Sequence, residues 1–372
     1  MIRQRAWVEI DQQALIHNVQ QFKAFLKPGT ELMAVVKADA YGHGAIRIAQ
    51  TVLQAGASWL AIATLGEGIE LREAGITAPI LILGAINTPE EISAIAHWQL
   101  EPTLCHGEQA QLFSETLKQL GRSLPVHLKL DTGMSRLGTS WRQAFSFGKL
   151  VKDLPYLRLA SVYSHLATAD DPNPLQMQMQ KQRFETAIAN LRQAGVQTNR
   201  FHLANSAATL NGQDWHYDLV RVGLGLYGLY PAPHLRNQIN LKPVLGVKAK
   251  VTQVKTIESG TGVSYGHHFV SDRPMQIAVV GIGYADGVPR NLSNRLQVLI
   301  RGQRVNQIGA ITMDQIMLDV SHIPDLRAGE VVTLIGQDGQ ENIAADDWAE
   351  ALGTISWEIL CGFKHRLPRI TI

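Results

Sequence analysis

Cysteine is nearly absent from this 372-residue chain: Cys105 and Cys361 are the only two, and they stand far apart. Neither a disulfide framework nor a thiolate zinc site is expected from them. His43, His267 and His268 read as structural or surface groups, and no metal is expected. A charge of one sign is missing too, since Lys+Arg 34 against Asp+Glu 32 leaves a net charge of +2. Without a basic run or a repeated basic-aromatic pattern, no nucleic-acid surface is expected, and a small-molecule substrate is the better reading. Long hydrophobic runs are also lacking, because no segment approaches the roughly 18 apolar residues of a membrane span. The opening Met1-Ile2-Arg3-Gln4-Arg5-Ala6-Trp7 has no apolar signal core. The expectation is a soluble, cytoplasmic protein with no membrane partner.

What is present is length enough for two domains, at roughly 100–200 residues each. Between residues 32 and 222, short apolar runs alternate with amphipathic stretches, the rhythm of parallel βα units. The runs fall at 32–37, 59–63, 79–83, 100–104, 126–130, 158–163, 200–204 and 218–222. Helices are expected at 45–55, 67–74, 89–98, 108–120, 141–152 and 177–194, with a short piece at 207–210. Eight such strands predict an α/β fold, a closed (β/α)8 barrel of the TIM type. No full helix follows the eighth strand, and the stretch 11–26 is available to fill that place. From about residue 241, β-branched runs at short spacing predict a mainly β second domain. The expected division is 1–240 and 241–372, with residues 1–10 open to pairing with the β domain.

The chemistry-bearing stretch is Val35-Val36-Lys37-Ala38-Asp39-Ala40-Tyr41-Gly42-His43-Gly44. An apolar strand carries a lysine to its end and then breaks into a turn, which desolvates the amine and suits it to Schiff-base chemistry. Other strand ends carry Lys129 and Arg136, His165, Asn205 with Ser206, and Arg221 with Gly223 and Leu224. In such a barrel the active site lies at the strand C-termini, and the loops after strands seven and eight are the usual phosphate site. Ser206 with the Gly223 and Leu224 N–H groups suits that task. A reactive lysine beside a phosphate cradle points to pyridoxal 5'-phosphate.

These residues also carry a resemblance to the alanine racemase family of fold-type III pyridoxal-phosphate enzymes, over essentially the whole chain. The run from Val36 to Gly44 resembles that family's cofactor-lysine motif. Also similar are Asp131-Thr132-Gly133-Met134-Ser135-Arg136-Leu137-Gly138, Ser164-His165-Leu166-Ala167-Thr168-Ala169-Asp170, His202-Leu203-Ala204-Asn205-Ser206, Gly262-Val263-Ser264-Tyr265-Gly266, Gly283-Tyr284-Ala285-Asp286-Gly287 and Met313-Asp314-Gln315.

The resemblance implies conversion between L- and D-alanine, supplying D-alanine for peptidoglycan, with Lys37 and Tyr265 as two bases on opposite faces of the substrate. It implies that His165, Arg221 and Asp314 support them, and that Tyr41, His165, Asn205, Ser206, Arg221, Gly223, Leu224 and Trp357 bind the cofactor. It implies that Arg136 and the Met313 backbone N–H clamp the substrate carboxylate, and that Lys129 matches a lysine many relatives carry as a carbamate. It further implies a homodimer in which Tyr265 and Met313 enter the partner's site. Arg221 would face the pyridine nitrogen, and an arginine cannot protonate it, so little transamination is expected. At Trp357 the family more often has a tyrosine. Three rival readings remain: a broader racemase that also takes serine, a decarboxylase of the same fold type, and a non-catalytic pyridoxal-phosphate carrier. Arg221 speaks against the decarboxylase, and the complete second domain speaks against the carrier.

Overall fold

The computed structural model describes residues 4–198 and 200–372, which form two compact units. One comprises Ala14–Ala40 and Ala45–Lys242; the other comprises residues 4–13, Tyr41–Gly44 and Pro243–Ile372.

The first unit is a ring of eight parallel strands. In spatial order they are Leu219–Val222, Glu31–Val35, Trp59–Ile62, Ile80–Ala85, Glu101–Leu104, Leu124–Asp131, Leu157–Tyr163 and Phe201–His202. Their near-continuous burial, complete along Trp59–Ile62, is what parallel strands covered on both faces require. At the seam the ladder gives way to isolated bonds, Asp218 N–H to Phe201 O (3.1 Å) and Arg221 N–H to Ala204 O (3.0 Å). The barrel is therefore nearly, rather than fully, closed. Between strands the chain forms amphipathic helices such as Ala45–Gln54, whose Ala45, Ile48, Ala49 and Val52 are buried at helical spacing. Helix Gln12–Phe25 fills the place left open after the last strand: Asn18 donates to Leu226 O (3.0 Å), and a side chain on Gly225 would meet the Phe22 ring.

The second unit is built on the 13-residue strand Leu245–Ile257. Its first half pairs antiparallel with Ala6–Ile10 and Val331–Asp338, and its second half with Met275–Val280. Strand Arg369–Thr371 adds to Ala6–Ile10 in parallel. Two helices, Ala345–Leu352 and Ser356–Gly362, interrupt what the sequence presents as an all-β pattern. With only about two turns each, they offer too few repeats for a helical period to stand out.

The turn after the first barrel strand departs from ordinary geometry. Ala38, Asp39, Ala40 and Tyr41 all have φ between +53° and +55°, so residues 38–41 form a left-handed helical turn made of non-glycine residues. Such backbone costs about 1–2 kcal/mol per residue and needs external support. Gly42, at φ +81°, closes it where a Cβ would lie 2.4 Å from Leu360 O. The guanidinium of Arg369 donates to the carbonyls of Gly42 and Phe363, holding that end in place.

Candidate active site

The C-terminal strand ends of the barrel unit gather a strongly cationic cluster. Arg221 is 3% exposed and its guanidinium is held on two sides. Nη1 donates to His202 Nδ1 (2.9 Å), while Nη2 donates to Ser164 O (2.8 Å), Leu203 O (3.1 Å) and His165 Nδ1 (3.2 Å). Nε–H has no acceptor among the described residues. Burial brings the arginine's pKa down to about 10, which still leaves it cationic at neutral pH. His165 is pushed well below the usual histidine range, by burial first and then by Arg221, Lys129, Arg136 and Lys37. Since an arginine can only donate, His165 presents a bare Nδ1 to Arg221 and keeps its proton on Nε2.

Lys129 is buried without a carboxylate or hydrogen-bond acceptor among the described residues, and its amine lies over the Tyr163 ring at 5.3 Å. Burial, followed by Arg221, lowers its pKa to about 8. Arg136 is exposed on the loop that follows Leu124–Asp131, where Asp131 Oδ1 accepts from Gly133 N–H (2.9 Å) and Ser135 N–H (3.0 Å). Lys37 is half-buried rather than fully desolvated. The strand stops at Val35, and the left-handed turn carries the lysine beyond the apolar wall that its sequence position suggests.

Across the last two strand ends, backbone N–H groups form a cradle. Asn205 caps helix Ser206–Leu210 by accepting from Ala208 N–H (3.0 Å), which leaves the Ser206 and Ala207 N–H groups without acceptors among the described residues. Ser206 Oγ accepts from Gly223 N–H at 3.0 Å, so that donor is already engaged within the protein. The neighbouring N–H of Leu224, a residue 1% exposed, has no acceptor among the described residues. Unpartnered buried N–H groups are costly and fit an anionic ligand such as a phosphate.

In the β unit, Tyr265 is 72% exposed and Met313 is 52% exposed. Tyr265 lines a cavity of 980 Å³ together with Lys255, Ser264, Thr312, Gln315 and Met317. The Met313 N–H has no acceptor among the described residues, and its carbonyl accepts from Ala285 N–H (3.1 Å). Asp314 receives a hydrogen bond from Arg366, whose Nε lies 3.4 Å from the buried carboxylate of Asp286. Asp286 in turn accepts from Arg5 (2.7 and 2.8 Å) and from Gly283 N–H (3.0 Å). Gly283 has no room for a side chain, as a Cβ would lie 2.2 Å from Thr312 O. Tyr41 is buried, and burial raises its hydroxyl pKa. Trp357 is half-buried on Ser356–Gly362, and its indole N–H has no acceptor among the described residues.

Among the sequence-nominated residues, Lys37, Lys129, Arg136, His165, Asn205, Ser206, Arg221, Gly223 and Leu224 belong to the barrel unit, whereas Tyr41, Tyr265, Met313, Asp314 and Trp357 belong to the β unit. Sequence reasoning missed Glu67, Ser161 and Arg366, and assigned no role to His202, which opens the His202-Leu203-Ala204-Asn205-Ser206 motif. Glu67 carried a signal, the capping box with Thr64. His202 carried a weaker one, a polar residue inside an apolar strand. No described group of histidine, cysteine and carboxylate side chains could hold a metal ion, and no described helix is long and apolar enough to cross a membrane.

The fold and the site together define a (β/α)8 barrel protein with a mainly β second unit, whose barrel strand ends carry a lysine, a buried arginine and unpartnered backbone N–H groups. The chain belongs to the alanine racemase family: residues 10–231 match its N-terminal domain and residues 244–371 its C-terminal domain. It is 73% identical to an alanine racemase of Synechocystis sp., over 372 residues covering all of both chains. Among solved structures it is similar to alanine racemase from Bacillus anthracis with bound L-Ala-P, at TM-score 0.94 and 37% identity over 100% of this chain and 96% of that one. It is also similar to histidine racemase from Leuconostoc mesenteroides, at TM-score 0.92 and 30% identity over 100% and 99%.

Proposed function

We propose that this protein interconverts L-alanine and D-alanine using pyridoxal 5'-phosphate bound at Lys37, and so supplies D-alanine for peptidoglycan in the cytoplasm. The observation that carries this reading is the full-length match to alanine racemases, in a chain whose barrel strand ends bring a lysine and an anion cradle together. When bound, the cofactor supplies an electron sink that acidifies the substrate Cα–H.

The remaining chemistry falls to the chain's own residues. Ser206 Oγ and the free N–H groups of Ser206, Ala207 and Leu224 would hold the phosphate, with Asn205 fixing their helix turn. Arg221 would direct its uncommitted Nε–H toward the pyridine nitrogen. As a permanent donor it leaves that nitrogen unprotonated, which limits the electron sink and disfavours transamination. Lys37 would exchange a proton on one face of Cα and Tyr265 on the other, the arrangement racemisation requires. Arg136 would clamp the substrate carboxylate with the Met313 N–H. Lys129, buried and easily deprotonated, is the form of lysine that reacts with carbon dioxide, and a carbamate there would give the neighbouring arginines an anionic partner.

The exposure of Tyr265 and Met313 supports a homodimer in which each protomer's β unit completes the other's site. A second reading, a racemase that also accepts larger amino acids, is favoured by the similarity to a histidine racemase and by Trp357 in place of the family's more frequent tyrosine.

The test is to incubate the purified protein, loaded with pyridoxal 5'-phosphate, with L-alanine and separately with L-serine, and to resolve the products on a chiral column beside Lys37→Ala. Fast D-alanine formation with slow D-serine formation, both lost in the variant, is the expected result. Comparable rates would widen the substrate class, and a bound but inert cofactor would overturn the reading in favour of a carrier.

A further inference from the structure

A line of buried polar side chains crosses the barrel interior from the opposite end. It starts at Glu101, the first residue of Glu101–Leu104 and therefore at the N-terminal rim, away from the strand ends that carry the cationic cluster. Glu101 Oε2 lies 2.7 Å from His127 Nε2, and His127 Nδ1 lies 2.6 Å from Ser161 Oγ. Ser161 Oγ lies 2.8 Å from His202 Nε2, and His202 Nδ1 lies 2.9 Å from Arg221 Nη1. His127, Ser161 and His202 are fully buried. The side chain of Glu101 is 13% exposed.

The ends of this line fix its direction. Arginine can only donate, so His202 Nδ1 must be bare and its proton must sit on Nε2, where it is given to Ser161 Oγ. A carboxylate can only accept, so His127 carries its proton on Nε2 and leaves Nδ1 bare for the Ser161 hydroxyl. Every donor then points from Arg221 toward Glu101, and every buried polar atom on the path has a partner. Burial and the neighbouring Arg221 charge keep His202 neutral. Tyr163 stacks on the His202 ring at 4.8 Å and 10°, holding the plane of that link.

Without Glu101 the direction is enforced only at the Arg221 end. His127 is then free to place its proton on Nδ1 and donate to Ser161. Arg221 still holds His202 Nδ1 bare, so Ser161 Oγ then accepts from both rings and its own hydroxyl proton loses the His127 acceptor, which leaves the chain behind Arg221 half-satisfied.

We propose that Glu101 is a positioning residue for Arg221, acting through His127, Ser161 and His202 to keep the guanidinium locked with its Nε–H toward the ligand. The proposal rests on the assignment of Arg221 to the cofactor ring made above. It adds a carboxylate at the far rim of the barrel, remote from the reacting groups, as a residue that sets their geometry. Coupling of this kind is high-stakes in a low-dielectric interior, because a half-satisfied chain leaves buried donors unpaired.

The test combines histidine ring-nitrogen NMR on the whole protein with steady-state kinetics of the cofactor-loaded enzyme. In the unsubstituted protein both His127 and His202 are expected as Nε2–H tautomers, an observation that requires no variant to fold. Glu101→Ala is expected to populate the Nδ1–H tautomer of His127 and to lower kcat about fivefold, with KM for alanine changed less than about twofold. Glu101→Gln, whose amide oxygen still accepts from His127 Nε2–H, is expected to restore both the tautomer and most of kcat. An Nδ1–H tautomer of His127 in the unsubstituted protein would overturn the proposal. So would a Glu101→Ala variant with shifted tautomers and unchanged kcat, or equal losses in the alanine and glutamine variants. Expected tautomers in a protein that binds pyridoxal 5'-phosphate but does not racemise alanine would instead overturn the racemase reading, leaving the relay standing on the NMR result.

Discussion

The carboxylate of Glu67 binds the peptide that directly follows Lys37: one oxygen accepts from Ala38 N–H at 2.6 Å, and the other accepts from Ala63 N–H (2.7 Å) and Thr64 N–H (3.0 Å). The end of the first barrel strand is thereby tied to the end of its neighbour, and the left-handed turn has a fixed starting point.

Glu67→Ala removes three hydrogen bonds at once. It should cost about 1–2 kcal/mol of stability through the lost cap. A lysine misplaced by about 1 Å should also lower kcat/KM by about tenfold to a hundredfold. Thermal unfolding and the chiral assay read the two effects separately, and an unchanged kcat/KM would mean that Lys37 does not depend on this contact.

Gly42→Ala tests the other end of the turn. The new methyl would meet Leu360 O at 2.4 Å in a backbone already at φ +81°. The expected loss is about 2 kcal/mol or more, read as a lower denaturant midpoint. A variant as stable as the parent would show that the turn can relax without cost.

Lys129 makes stability depend on pH in a definite direction. Burial holds its amine near 8 in the folded chain against 10.5 for an ordinary lysine, so between those values the unfolded chain binds more protons. Stability should therefore rise with pH through that window, with the full burial cost present below it. Lys129→Met should raise the melting temperature near neutrality and flatten the rise, while slowing turnover if a carbamate on Lys129 holds Arg136. A steep alkaline rise that survives the substitution would assign the effect to another group.

Trp357→Tyr exchanges an indole N–H for a hydroxyl on helix Ser356–Gly362. Activity should persist, with a change in pyridoxal-phosphate affinity or in the alanine-versus-serine preference. If spectrophotometric cofactor titration and the two substrate rates all match the parent, Trp357 has no part in either.

Much of the barrel was legible because parallel strands buried on both faces must be apolar runs. Glu31–Val35 and Leu157–Tyr163 stand out against amphipathic helices for that reason. The β unit was less legible. Strands such as Gln303–Asn306 and Ile316–Asp319 have only four residues, too few for an alternation to separate from chance. At the site, the lysine and arginine motifs were readable as residue types at or near strand ends, whereas the contacts of Ser161 and His202 were not, because nothing local to a strand says what its neighbour presents.

The strand count of the barrel, the lysine just after its first strand and the motifs of the family were all legible in the chain, since periodicity and residue type are properties of short segments. The hand of the turn after Lys37, the neutrality of His165 and His202, and the direction of the line from Arg221 to Glu101 came from the folded chain alone. Those depend on burial and on which donor faces which acceptor, relations between residues as distant in sequence as Glu101 and Arg221. The chain fixes them only once it has closed into a ring.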